Sequence, residues 1–178
     1  MLASRQKQPA LKPQDLLVAL KIATNEERTI TFAELGRELS MSTSEVHAAT
    51  QRAEMSRLVT REHGQLRAIR SSLQEFILCG VKYAFPAVLG GITRGMATSI
   101  AAPPLKKLFE QDEFLSPVWP DAKGEERGLS LQPLYPSVPD AARADSHLYE
   151  FLILVDAIRA GAAREREIAA FELMKRLS

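Results

Sequence analysis

The sequence lacks the residues that most enzyme and metal sites require. Its single cysteine, Cys79, excludes an intramolecular disulfide and a zinc site built from several thiolates. Its three histidines are far apart in the chain, and no Ser-His-Asp, paired-carboxylate, metal-ligand or nucleotide-binding pattern accompanies them. No apolar run approaches the length of a membrane span, and the first residues lack the apolar core of a signal peptide. We therefore expect a cytoplasmic protein without enzymatic activity, catalytic residue, cofactor, metal or membrane contact.

The sequence also has little net charge, +1 over 178 residues, and this value alone does not indicate a nucleic-acid binder. The charges are unevenly distributed. Residues 1–70 contain 11 Lys and Arg against 8 Asp and Glu, whereas residues 71–178 contain 12 against 14. The asymmetry is mild, and the N-terminal part carries the positive excess that a DNA-binding segment requires.

The clearest pattern lies between Thr31 and Val59, where two helices are predicted around a three-residue turn. A first helix begins at Pro13, which suits the first helical position. Thr31 and Ser42 are each followed three residues later by a glutamate, and this spacing predicts a capping box at the start of the second and third helices. The residues expected to face inward are apolar or small: Phe32, Leu35, Gly36, Leu39, Met41, Val46, Ala49 and Ala53.

The outward face of the third helix has short or hydrogen-bonding side chains, which suit a helix that enters the major groove of DNA. After it, residues 58–61 and 65–69 are predicted to pair as a hairpin around Gly64. The same basic hairpin residues also fit a solvated hairpin with ordinary surface arginines. The candidate DNA contacts on the helix and the hairpin are Ser42, Thr43, Ser44, His47, Gln51, Arg52, Arg57, Arg61, His63, Arg67 and Arg70.

Residues 13–70 resemble the winged helix-turn-helix of bacterial MarR-like transcription regulators. The resemblance is carried by the segments PQDLLVALKIA, TFAELGRELSMSTSEVHAATQRA and SRLVTREHGQLRAI. It covers about a third of the chain, and many regulators share its general pattern. It implies a winged DNA-binding module and a transcriptional role.

The rest of the chain divides by composition. We predict a flexible tail over residues 1–11, the winged domain over 12–70, and a linker helix over 71–80 that ends at Gly80. Residues 81–138 are predicted to be irregular, because proline and glycine interrupt them often. Within them, Gly90–Gly95 is glycine-rich, but it lacks the full phosphate-loop spacing and is better explained as a connector. Residues 139–178 are predicted to form a helical hairpin for dimerisation or partner binding.

A second, weaker resemblance covers residues 134–167, LYPSVPDAARADSHLYEFLILVDAIRAGAARERE. This segment is similar to small regulators of toxin–antitoxin loci of the nucleotidyltransferase-toxin, AbiE-like type. The resemblance implies an antitoxin-like protein that represses its own operon and contacts a toxin through the half beyond residue 80.

Together these patterns predict a mainly α fold with a small β wing, an irregular middle and a C-terminal helical hairpin. The expected function is a sequence-specific, dimeric repressor that binds double-stranded DNA. The alternative is an adaptor or antitoxin in which the winged module and the C-terminal helices bind a protein. In both cases residues 81–178 are the candidate surface for a toxin or another protein partner.

Overall fold

The computed structural model describes residues 9–111 and 115–178, so most of the predicted tail lies outside the described residues. Its N-terminal part contains three helices and a two-stranded antiparallel hairpin. These elements are α1 (Pro13–Ala23), α2 (Phe32–Leu39), α3 (Thr43–Met55), β1 (Val59–Glu62) and β2 (Gln65–Ala68).

Both predicted capping boxes are confirmed. The backbone N–H of Glu34 donates to Thr31 Oγ1 at 3.2 Å, and the Glu34 carboxylate accepts from the backbone N–H of Thr31 at 2.8 Å. Ser42 and Glu45 make the same reciprocal pair at the start of α3. Gly36 allows α2 to approach the turn, since a Cβ there would lie 2.7 Å from the Met41 carbonyl oxygen.

The hairpin turns at His63 and Gly64, whose φ angles are 50° and 80°. Glu62 pairs with Gln65 next to the turn, and Val59 pairs with Ala68 at the open end. The hairpin predicted around Gly64 is therefore confirmed, and the turn uses a positive φ at this glycine. His63 also takes a left-handed conformation, which exposes its ring at the tip of the hairpin.

A helical segment links the hairpin to the rest of the chain, and it is longer than predicted. It consists of α4 (Arg70–Glu75), a π-helical turn (Phe76–Gly80) and α5 (Val81–Ala84) without a break. The Val81 N–H donates to the Phe76 carbonyl, five residues back. Gly80 therefore lies inside the helix, and the predicted end at this residue is wrong. The π turn leaves Cys79 exposed.

A three-stranded mixed sheet occupies the segment that was predicted to be irregular. It contains β3 (Leu89–Ala97), β4 (Pro117–Pro120) and β5 (Glu126–Leu131). β3 is antiparallel to both other strands, while β4 and β5 are parallel, so each strand pairs with the other two. Two short 3₁₀ turns, Ser99–Ala101 and Lys106–Leu108, lie between β3 and β4.

Glycines make this sheet possible, because its strands approach closely. A Cβ on Gly95 would lie 2.0 Å from the Trp119 carbonyl oxygen, and one on Gly128 would lie 2.0 Å from the Ser116 carbonyl oxygen. The glycines of the segment Gly90–Gly95, which suggested a connector, therefore belong to a strand, and Gly95 lies where two strands approach closely. Gly90–Gly95 in particular lies within β3.

The predicted fold class is wrong. About 54% of the described residues are helical, but five strands within the same residues form two sheets, and one of these sheets lies where no regular structure was expected. The chain is a mixed α/β protein, and its architecture is not clearly that of a winged helix-turn-helix protein. The error has a local cause, since proline and glycine indicate turns and also mark strand ends and close backbone approaches.

Three helices complete the chain: α6 (Val138–Ala144), α7 (Ser146–Ala160) and α8 (Ala163–Leu177). α7 is the most buried of them, with Phe151 to Ile158 inaccessible along its central turns. It contacts α1, α5, α6 and α8, and most of the buried apolar residues form one cluster that extends from Leu16 to Leu177. None of the helices in the described ranges is long and apolar enough to cross a membrane.

A buried cation connects the N-terminal helices to α7. The Lys21 side chain is 3% exposed, and its Nζ lies 2.8 Å from the Glu38 carboxylate and 2.5 Å from the Asp145 carboxylate. Asp145 also caps α7 by accepting from the Leu148 N–H at 3.0 Å. Lys21 thus joins α1, α2 and the start of α7 at one point.

Candidate nucleic-acid interface

α3 is held against the core by one side and exposes the other. Val46, Ala49 and Ala53 are fully buried, and Thr50 between them donates its hydroxyl to the Val46 carbonyl at 2.8 Å. This internal bond satisfies the only polar side chain on the buried side of the helix. The contacts of α3 with α1 and α2 fix its orientation.

Four predicted base-reading residues share the exposed side. Thr43, Ser44, His47 and Gln51 are all exposed, and their spacing of three or four residues places them along one face. Their side chains offer hydroxyl, imidazole and amide groups, which match the donors and acceptors of base edges in the major groove. The structure therefore brings these four residues together.

The N-terminus of α3 is fixed by a contact from the other half of the chain. Ser42 caps the helix through Glu45, and the Tyr135 hydroxyl donates to the same Glu45 carboxylate at 2.6 Å. The hydrogen bond from Tyr135, with those from Ser42, lowers the pKa of Glu45 to about 2. Ser42 therefore has a structural role as a cap.

His47 and Arg61 both contact the aromatic ring of Phe32. The His47 ring meets Phe32 edge-on, with ring centroids 5.1 Å apart, and the Arg61 guanidinium carbon lies 5.6 Å from the Phe32 centroid. Arg61 Nε also pairs with the Glu54 carboxylate at 2.7 Å. The hairpin and the exposed face of α3 are thus neighbours, but the charge of Arg61 is partly balanced.

Arg52 points away from the exposed face and binds a buried carboxylate. Asp15 on α1 is fully buried, and the Arg52 guanidinium donates to its two oxygens at 2.7–3.1 Å. Asp15 also accepts from the Lys12 N–H at 2.8 Å. Arg52 therefore connects α1 to α3 and has little freedom to contact phosphate.

Two further predicted arginines are also engaged within the chain. Arg67 donates to the Glu26 carbonyl and to Gln65. Arg70 pairs with the Glu26 carboxylate at 3.1 Å and donates to the Arg176 carbonyl at the end of α8 at 3.2 Å. Both side chains stabilise the junction between the hairpin, the α1–α2 loop and α8.

Two of the remaining predicted basic residues are exposed at turns. Arg57, between α3 and β1, and His63, at the hairpin tip, both have positive φ angles, 57° and 50°. With Arg61 they are the predicted basic DNA contacts that the fold leaves near the solvent. Sequence reasoning missed Asp15, Glu26 and Tyr135, because the partners of these residues lie far away in the chain.

Metal chemistry has no candidate in the described part of the chain, where no group of three or more His, Cys, Asp or Glu residues is arranged to hold an ion.

A comparison with known protein families found no matching family model, and comparisons with curated proteins and with solved structures found no similar protein. The function is therefore inferred from the residues and the geometry of this chain.

Proposed function

We propose that the chain is a DNA-binding regulator whose helix α3 enters the major groove. The observation that carries this proposal is the exposed face of α3, formed by Thr43, Ser44, His47 and Gln51. A rigid helix with base-matching side chains on one face is the element that sequence-specific DNA binders place in the groove. The capping box, the Arg52–Asp15 pair and the Tyr135 contact support this reading, because they hold α3 in one orientation.

The contacts that the predicted arginines make within the chain change the expected salt dependence of DNA affinity. If all five predicted arginines contacted phosphate, a dimer would release about ten counterions, and the slope of log K against log salt would be about −9. With Arg52, Arg67 and Arg70 engaged, Arg57 and Arg61 are the predicted arginines left near the solvent, and Arg61 must give up its pair with Glu54 to bind phosphate. If both contact phosphate in each copy, the slope is expected near about −4. Measuring affinity at several salt concentrations distinguishes the two values.

The specificity test changes the exposed face of α3 without changing its buried face. DNA that the protein selects from a random pool should be bound less selectively by the triple variant Ser44→Ala, His47→Ala, Gln51→Ala. A control variant, Glu125→Ala with Glu126→Ala, alters two exposed residues at the start of β5 and should retain the selectivity. Unchanged preference of the triple variant in a gel-shift competition would contradict the assignment of these residues.

We also propose that two copies associate through α8. Phe171 is 55% exposed and Met174 37% exposed on the outer side of this helix. An antiparallel pair of α8 helices with its twofold axis at Phe171 would place Glu167 of one copy against Lys175 of the other. This surface combines exposed apolar side chains with charges that would meet opposite charges across the twofold axis. A second copy of the chain is therefore the favoured partner.

One observation favours the alternative, an adaptor or antitoxin that binds a protein. The engagement of Arg52, Arg67 and Arg70 leaves less arginine charge free to contact phosphate than the sequence suggests. A protein partner would not require that charge. Co-purification with the product of a neighbouring gene, together with no DNA retained at low salt, would favour this second function.

A further inference from the structure

An apolar groove of about 440 Å³ opens where the start of α1, the end of α5 and the segment after β5 meet. Leu11, Phe85, Val88 and Leu134 contribute to its walls, and Arg159 from α7 is the one charged residue among the described residues that line it. The volume lies within the range of about 300–1,000 Å³ that small-molecule sites occupy. The groove is therefore large enough for a ligand and carries one fixed charge.

Arg159 is buried without a full set of partners. Its side chain is only 3% exposed, and its Nη2 donates to the Gln132 carbonyl at 3.2 Å. Its Nη1 lies 3.5 Å from the nearer Asp156 oxygen, and its buried Nε has no hydrogen-bond partner. Because a guanidinium has five N–H donors, a buried one with so few close acceptors is poorly satisfied.

Asp156 compensates this charge incompletely, because its carboxylate also serves other donors. Its Oδ2 accepts from the Thr98 hydroxyl at 2.8 Å and from the Trp119 indole N–H at 2.6 Å. Burial raises the pKa of the Asp156 carboxyl, so its negative charge is less favourable than that of an exposed aspartate. Arg159 therefore retains the capacity to bind a second anion.

We propose that this groove binds a small apolar molecule with one carboxylate, and that the carboxylate pairs with Arg159. An aliphatic chain would cover the apolar walls and replace water there. A carboxylate matches the planar fork of a guanidinium and can accept two parallel hydrogen bonds from it. A ligand with several charges fits less well, because Arg159 is the only cation that the structure describes in the lining. This site is independent of the proposed DNA-binding function.

The test uses the full chain and octanoate as the probe. Isothermal titration calorimetry measures its affinity, and fluorescence of Trp119, the only tryptophan, gives a second signal through the shared Asp156. Octanol is the neutral control, because it has the same chain length and no carboxylate. Octanoate is expected to bind saturably and about tenfold or more tighter than octanol, as a charge-assisted hydrogen bond requires.

Two substitutions locate the binding in the groove. Arg159→Gln removes the cation and is expected to abolish the difference between octanoate and octanol. Val88→Glu adds a carboxylate at a groove residue that is 54% exposed, so it tests the site even if Arg159→Gln fails to fold. Leu108→Glu is the matched control, since Leu108 is 52% exposed and does not line the groove.

A loss of about tenfold in octanoate affinity for Val88→Glu, with no loss for Leu108→Glu, is the expected result. Equal affinity for octanoate and octanol would overturn the role of Arg159. The absence of a saturable signal in both measurements, or an equal loss in the two glutamate variants, would overturn the site itself. DNA binding is not needed for any of these measurements.

Discussion

Asp15 is a fully buried carboxylate that lies against the guanidinium of Arg52. Arg52→Ala would remove this cation and leave the carboxylate without a charged partner. Removal of one member of a buried ion pair typically lowers the free energy of unfolding by about 3 kcal/mol or more. Urea denaturation measures this loss, and Arg57→Ala, at an exposed residue, should change stability by less than about 0.5 kcal/mol. Equal effects of the two substitutions would show that the Arg52–Asp15 pair does not stabilise the fold.

Tyr135 controls the ionisation of a residue at the start of α3. Tyr135→Phe removes the hydrogen bond that contributes most to the low pKa of Glu45, so this pKa should rise from about 2 toward its ordinary value. A carboxyl group whose pKa is lower in the folded than in the unfolded state stabilises the fold at pH values above its unfolded pKa. That stabilisation is lost as the pH falls from about 4.5 to about 2.

An NMR titration of the Glu45 carboxylate measures the shift directly. Tyr83→Phe is a suitable control, because Tyr83 is 75% exposed and has no contact with Glu45 among the described hydrogen bonds. An unchanged pKa of Glu45 in the Tyr135→Phe variant would show that the contact between the two halves is absent in solution.

These residue-scale contacts were not predictable from the sequence, because they join distant positions. Asp15 and Arg52 are 37 residues apart, and Glu45 and Tyr135 are 90 residues apart. The helical pattern correctly placed Thr43, Ser44, His47 and Gln51 in the solvent. It gave no means of distinguishing an arginine free to contact phosphate from one that binds a buried carboxylate.

At the scale of the elements, the three-stranded sheet depends on the small size of Gly95. Gly95→Ala places a methyl group 2.0 Å from the Trp119 carbonyl oxygen, so β3 and β4 must separate. We expect a loss of about 3 kcal/mol or more in the free energy of unfolding, because overpacking of backbone against backbone cannot relax by side-chain rotation.

Gly91→Ala is the matched control in the same strand, because no atom lies within 4 Å of the position that its Cβ would occupy. Its effect on the thermal unfolding midpoint should be small. If the two alanine variants unfold at the same temperature, the close approach of β3 and β4 is wrong.

The elements differ in how well the sequence predicts them, and the reason is the range of the interactions that form them. Capping boxes and a hairpin turn are determined by residues three or four positions apart, so Thr31, Ser42 and Gly64 identify them locally. The mixed sheet is determined by contacts between Gly95 and Trp119 or between Gly128 and Ser116, which no local pattern reveals. The π turn before Val81 similarly has no sequence signal that excludes a helix end at Gly80.

At the scale of the whole molecule, the exposed apolar residues of α8 predict self-association. The double variant Phe171→Glu, Met174→Glu should increase the dimer dissociation constant by about tenfold or more, because it places like charges on both copies at the proposed axis. Sedimentation velocity at several concentrations measures this change. Leu108→Glu alters an equally exposed apolar residue outside α8 and should leave the dimer intact. A monomeric parent protein would contradict the proposed dimer.

Lys21, buried between Glu38 and Asp145, has a consequence for the geometry of the proposed DNA complex. Because α1, α2 and α7 meet at this cation and share one core with α8, α3 cannot easily turn relative to α8. In the proposed dimer, the distance between the two α3 helices would then be a fixed property of the fold. Two half-sites on the DNA would have to match that distance in helical phase. An insertion of about half a helical turn, roughly 5 base pairs, would move one half-site to the opposite face of the duplex.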